Sequence, residues 1–293
     1  MQKFFGIEKF KTIDVKRGGV RGAMLKKEIQ DTLKSTKSRL VMLVFFCILF
    51  YDFFKKILGN YYDFWTHPEV YDEDSLAAIL PHPSMAGFLS GGDTGHLAQM
   101  IIVWLLPVWC LLLCGDSYIV ERRNGYLPLL YSRSGRRDIF VSKVIAAFVS
   151  GFCVFGGALL FNFGMCCVAF GKGTSFYGVE RFAHEESLWM GFSIDHPIAT
   201  YLLYIVLFAT ICGSLCVVGV CLSFYLPVYP ALYSVCFMLW FPQIPGRNSI
   251  AIAIQPFSLA KTGNILVAVS IFGVIVAIVI VLGYVRKVRY EAV

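Results

Sequence analysis

Asp52, Lys55 and Lys56 stand together at the end of an apolar run. A carboxylate followed at i+3 and i+4 by ammonium groups can pair with either on one helical face. Ionisable groups this close to a membrane segment are functional candidates by default. Coming after Leu40–Tyr51, they are expected near an outer interface, where long side chains snorkel to water. No catalytic constellation accompanies them. The sequence has no G-x-x-x-x-G-K-[ST] to cradle nucleotide phosphates, and Gly171-Lys172-Gly173-Thr174 is too short for one. His184-Glu185-Glu186 lacks the second histidine of a zinc-protease helix, and no G-x-S-x-G elbow occurs. His67, His82, His96, His184 and His196 match no metal-ligand spacing and read as polar residues of an outer cap. The ten cysteines show no CxxC spacing and all fall in apolar runs, as small packing residues do.

The densest cluster of distinctive residues runs from Glu121 to Lys143. It has a charged start (Glu121, Arg122, Arg123), then Gly125 and an apolar patch at Leu127, Leu129 and Leu130. Ser132, Arg133 and Arg137 follow, with Lys143 leading into the next apolar run. A short helix with an apolar face flanked by arginines suits docking into a groove on a soluble partner. The same composition also describes a basic loop whose arginines lie on lipid phosphates.

Positioning these groups requires helices in lipid. Of the 293 residues, 57% are hydrophobic and only 15% charged, against roughly a quarter charged in soluble domains. Apolar runs near 40–58, 97–118, 144–170, 198–226, 228–244 and 265–285 approach or exceed the roughly 20 residues a helix needs to cross a bilayer. They lack the alternation of a barrel, so the expected fold is an all-α integral membrane protein of six transmembrane helices. Residues 1–39 form a basic leader without a signal-peptide core, so the first span is expected to be retained as an anchor. Within it Leu25, Ile29 and Leu33 recur every four residues among lysines, the pattern of an interfacial amphipathic helix.

Charge orients the spans. Residues 1–39 hold eleven Lys/Arg against four acids, whereas 57–96 hold six acids and no Lys or Arg. Segment 116–143 returns to six bases against three acids, and 171–198 is acidic, four against two. That alternation predicts both termini in the cytoplasm and outer segments near 59–96, 171–197 and 245–264. The net charge of +7 is therefore topological and gives no reason to expect nucleic acid as a partner. Within the spans, Pro107 predicts a bend. Gly151, Gly156 and Gly157 predict close helix approach, and Asn162 an interhelical hydrogen bond. The fifth span is short, ending near Phe241-Pro242, and Ser249–Ile254 looks like a re-entrant or surface helix that does not cross.

The segment from Glu121 to Lys143 resembles that of the permease subunits of the type-2 ABC exporter family. There the first cytoplasmic loop typically reads acidic-Arg-x-x-Gly-x-Leu, then Leu-Leu-x-Ser-Arg, then Arg-x-x-Ile and a Lys entering the third span. Glu121, Arg122, Gly125, Leu127, Leu129, Leu130, Ser132, Arg133, Arg137 and Lys143 fit, with Ile139 or Phe140 at the Ile position. Pro128 departs by interrupting any helix across the loop, and segment 59–96 is longer than a minimal member needs. The resemblance covers nearly the whole chain. It implies a 40–293 transmembrane domain that supplies half of a translocation path in the plasma membrane, in a bacterial setting. It also implies a second permease, identical or related, and two ATPase subunits that carry the ATP and Mg; this chain is then no enzyme and holds no cofactor. Few charges in the central spans suit an amphiphilic cargo: a peptide, an antimicrobial or a lipid-like molecule. The residues leave two rivals open: a membrane immunity or sensing protein, and a secondary transporter built on Asp52.

Overall fold

The computed structural model describes residues 22, 24–67, 77–90, 96–115, 117–125, 135–177, 179, 190–258 and 260–290. Among these residues the chain is helical without a strand. One isolated bridge joins Pro81 to Ser175. Residues 24–34 form the leader helix, which bends at Ser35. The bend has a local cause: Ser35 Oγ accepts from the Ser38 N–H at 3.3 Å, an N-cap that starts the next helix. That helix is α1 (Thr36–Thr66), followed by α2 (Pro83–Ala86), α3 (Leu97–Trp104) and α4 (Leu106–Cys110), which runs into a π turn, Leu111–Gly115. Then come α5 (Ser117–Arg123), α6 (Arg136–Ala169), α7 (Met190–Asp195), α8 (Pro197–Ser223) and α9 (Tyr229–Trp240). The chain finishes with α10 (Ile250–Ala253), α11 (Thr262–Val285) and a second π turn, Arg286–Tyr290.

Among the described residues three helices are long and apolar enough to cross a membrane: Arg136–Ala169, Pro197–Ser223 and Thr262–Arg289. A fourth crossing results if α3 and α4 with its π turn count as one span bent by 62°. The six expected spans are thus matched in part. α1 has length to spare, 31 residues, but places Asp52, Lys55 and Lys56 in its middle. α9 has 12 residues, about 18 Å of helix, short of the roughly 30 Å of a hydrocarbon core. Pro242 lies in the 3-10 turn Phe241–Gln243 that ends it.

α8 is the most buried of the three and packs along α6 through small residues. A side chain at Gly151 would meet the Cys216 sulfur at 2.6 Å, and one at Gly156 the Ala209 methyl at 2.9 Å. Gly213 is closed off in the same way by Phe148. Gly157 meets nothing within 4 Å, so only two of the three expected glycines serve close approach. Cys110, Cys114 and Cys216 lie at helix crossings, their thiols directed at main-chain carbonyls (Cys110 Sγ to Cys212 O, 3.5 Å).

The bend between α3 and α4 follows from Pro107. Having no N–H, it leaves the Val103 carbonyl without its helical donor. The buried Trp240 indole donates to that carbonyl at 2.9 Å, so α9 completes the hydrogen bond the proline removed. In the π turn beyond, Ser38 Oγ donates to Leu113 O at 2.7 Å.

Candidate functional site

Near the start of α6, the buried Lys143 ammonium holds two carboxylates. Its Nζ lies 2.6 Å from Glu121 Oε1 on α5 and 3.0 Å from Glu28 Oε1 on the leader helix. Three elements far apart in sequence therefore meet on one cation. Burial pushes the Glu121 carboxyl above its ordinary value, with the Lys143 charge pulling the other way. Beside this junction Lys287, fully buried, donates to Tyr118 Oη at 3.1 Å. Its ammonium sits 4.2 Å from the Tyr118 ring centroid and 5.2 Å from that of Phe224, a cation–π box at the end of α11.

α5 ends where the sequence allows it to. Gly125 adopts φ +66°, the left-handed conformation that terminates helices and that glycine takes without penalty. Its N–H bonds Arg122 O at 3.3 Å. The acidic-Arg-x-x-Gly pattern is thus a helix end: Glu121 faces inward to Lys143, whereas Arg122 is exposed. Arg123 lies over the Tyr229 ring at 4.8 Å. Arg137 is exposed in the first turn of α6. Leu127, Leu129, Leu130, Ser132 and Arg133 lie outside the described residues.

The second cluster lies where segment 77–90 folds against the far end of α6. Asp52 Oδ2 pairs with Lys56 at 3.0 Å, the expected i+4 partner, and Lys55 is exposed. Asp52 itself is only 4% exposed, which corrects the expectation of a snorkelling group: protein covers it, not water. The covering residue is His96, whose Nδ1 lies 3.0 Å from Asp52 Oδ1. His96 Nε2 lies 2.9 Å from Phe88 O, and the Gln99 N–H points at Nδ1 from 3.3 Å. The Phe88 carbonyl can only accept, so His96 Nε2 carries the ring N–H that faces it.

The same cluster fastens segment 77–90. Lys56 Nζ donates to Ala86 O and Gly87 O at 3.0 and 2.9 Å, a cation on the end of α2. Asn162 Oδ1 accepts from Phe88 N at 3.2 Å, and Tyr201 Oη from Leu89 N at 3.2 Å. Gln99 Nε2 donates to Leu89 O at 2.8 Å. The segment thus enters the bundle with its main chain satisfied by side chains of α1, α3, α6 and α8, as irregular backbone away from water must be. Gly87 is required there, since a Cβ would come 2.3 Å from the Tyr201 ring. Asn162 therefore serves this segment and not a neighbouring helix.

Sequence reasoning reached Asp52–Lys56, Glu121, Gly125 and the Lys143 position. It missed Glu28, Tyr118 and Lys287 as partners, and it placed His96 in an outer cap. Only their distance in space joins these residues, and no spacing signal encodes it. Among the described residues no group of three or more His, Cys, Asp or Glu could hold a metal.

These features define an all-helical protein with apolar helices of membrane-crossing length and two buried ion clusters near opposite ends of α6. The chain is 31% identical over 177 residues to "Uncharacterized protein YybM" of Bacillus subtilis (strain 168), covering 60% of this chain and 70% of that protein. It belongs to the same family as YybM. No family model matches the chain, and no solved structure matches it.

Proposed function

We propose that this protein is the membrane-spanning subunit of an ATP-driven exporter. It moves an amphiphilic cargo and is coupled through residues 121–143 to a separate ATPase. In this reading α1, bent α3–α4, α6, α8, α9 with its following turn, and α11 are six spans of a plasma-membrane protein with both termini in the cytoplasm. Two such subunits form the path, and two ATPases bind ATP and Mg beneath them.

The observation that carries the reading is the Lys143 junction. Segment 126–134 joins α5 to α6, and both helices are tied to one buried ammonium that also holds the leader helix. A push on the segment is delivered directly to two helices and the leader, which is what coupling to a soluble motor needs. The resemblance of Glu121–Lys143 to the permease pattern points the same way.

The test is a pull-down of the tagged protein in mild detergent, beside an Arg133/Arg137→Glu variant. A P-loop ATPase retained by the first and lost by the second is the expected result. A stable preparation that brings down no such ATPase removes the reading. The contact of buried Asp52 with His96 favours a second reading, proton-coupled secondary transport. Uptake driven by a pH gradient in ATP-free vesicles, and abolished by Asp52→Asn, would support that alternative.

A further inference from the structure

A cleft of about 280 Å³ opens between α3, the end of α9 and α10. Met100, Trp104, Phe241 and Ile252 supply apolar walls. Two lining residues are out of character: Gln99 is 1% exposed and Gln255 5%, and the amide oxygen of each is buried without a hydrogen-bond partner among the described residues. Gln99 commits its nitrogen to Leu89 O, which leaves the oxygen as a bare acceptor. The nearby Ser249 hydroxyl cannot serve either oxygen. It donates to Ile244 O and accepts from Ala251 N at 3.1 Å.

We infer that this cleft is a binding site for a neutral, ring-sized apolar group bearing an N–H or O–H donor, such as an indole or phenol side chain. The volume lies at the low end for ligand pockets, which admits a single ring system and excludes a drug-sized molecule. Trp104 and Phe241 stand edge to face with ring centroids 6.1 Å apart and are each partly exposed, so an incoming ring finds aromatic surface at the rim. Donors are required because buried acceptors left unpaired are costly, and a donor-bearing guest satisfies them. The guest is neutral because no described residue lining the cleft is charged, and a desolvated cation there would lack a counter-ion. That the guest belongs to a cargo, for instance an aromatic residue of a hydrophobic peptide, rests on the export reading. The site itself does not.

Equilibrium dialysis of radiolabelled indole against the full-length protein in lipid nanodiscs, with empty discs subtracted, tests the site without any ATPase. 1-Methylindole, which has the ring without the donor, should bind roughly tenfold more weakly. Gln255→Leu should weaken indole by a similar factor and erase its advantage over 1-methylindole. Trp104→Ala, at a partly exposed rim position, should weaken both probes alike. Equal binding of the two probes, no binding above empty discs, or displacement of indole by benzylammonium at lower concentration overturns the assignment. Donor-dependent binding in a protein that recruits no ATPase keeps the site and removes export. An ATPase partner without such binding does the reverse.

Discussion

Replacing Lys143 by methionine keeps an unbranched side chain one atom shorter and removes the cation that holds Glu28 and Glu121. At 3.0 and 2.6 Å the two attractions are each about 5–6 kcal/mol at an effective dielectric of about 20. The ammonium's own desolvation, several kcal/mol, opposes them. What decides the mutant is the state left behind: two carboxylates facing one another with no counter-charge. Breaking a buried pair in this way costs about 3–5 kcal/mol. The Glu28 and Glu121 side chains keep 17% and 19% exposure, so water relieves part of the strain and the expected loss is about 3 kcal/mol.

Glu121→Gln in the same background removes one of the facing charges and should restore about 1–2 kcal/mol. The loss should also shrink in acid. The Glu121 pKa is raised in the folded protein, so the folded state takes up a proton more readily than the unfolded chain. That contribution is complete below the ordinary glutamate value and is lost as pH rises through the raised one. Reversible unfolding of the purified protein in mixed micelles, followed by far-ultraviolet circular dichroism from pH 4 to 8, measures all of this. A loss under about 1 kcal/mol, the worth of an exposed pair, would show that Lys143 is not a buried junction. Failure of Glu121→Gln to restore stability would refute the argument from facing carboxylates.

Trp240→Phe should cost about 1–3 kcal/mol by leaving the Val103 carbonyl unpaired, and Pro107→Ala should recover much of it by returning an N–H in the helix. Unfolding of both single variants and the double checks the coupling, and strictly additive losses would contradict it. For His82 the sign runs opposite to Glu121: burial lowers its pKa, so its contribution is complete above the ordinary histidine value and falls as pH drops toward the lowered one. Its Nδ1 accepts from the Ser84 N–H at 3.3 Å at the start of α2, and protonation removes that acceptor. Protection factors of amides 84–90, taken relative to intrinsic exchange at each pH, should fall in mild acid in the wild type and not in His82→Asn, which keeps a capping acceptor; matching pH profiles would count against the role.

Local features were legible in the sequence where one residue type forces one geometry. Pro107 announced the bend, and Asp52–Lys56 follows from helical spacing. Pro242 likewise marked the end of α9, which closes at Trp240 two residues before it. Gly157 looked equivalent to Gly156, yet one residue is 100° of helical rotation, enough to face it away from α8. The Lys143 junction and the His96 pairing were invisible for a different reason. Each joins groups from separate elements, and a charge near the end of an apolar run looks the same whether it faces lipid headgroups or a buried carboxylate.

The fastening of segment 77–90 bears on how the chain is made. Its main chain is held by Asn162, 74 residues beyond Phe88, and by Tyr201, 112 residues beyond Leu89. At a synthesis rate of about 5–20 residues per second, the segment leaves the ribosome on the order of ten seconds before its last partner exists. During that interval its amides have only water to bind. Helix formation must therefore run ahead of final closure at this end of the bundle, and the newborn protein passes through a stage with its helices formed and this segment still wet.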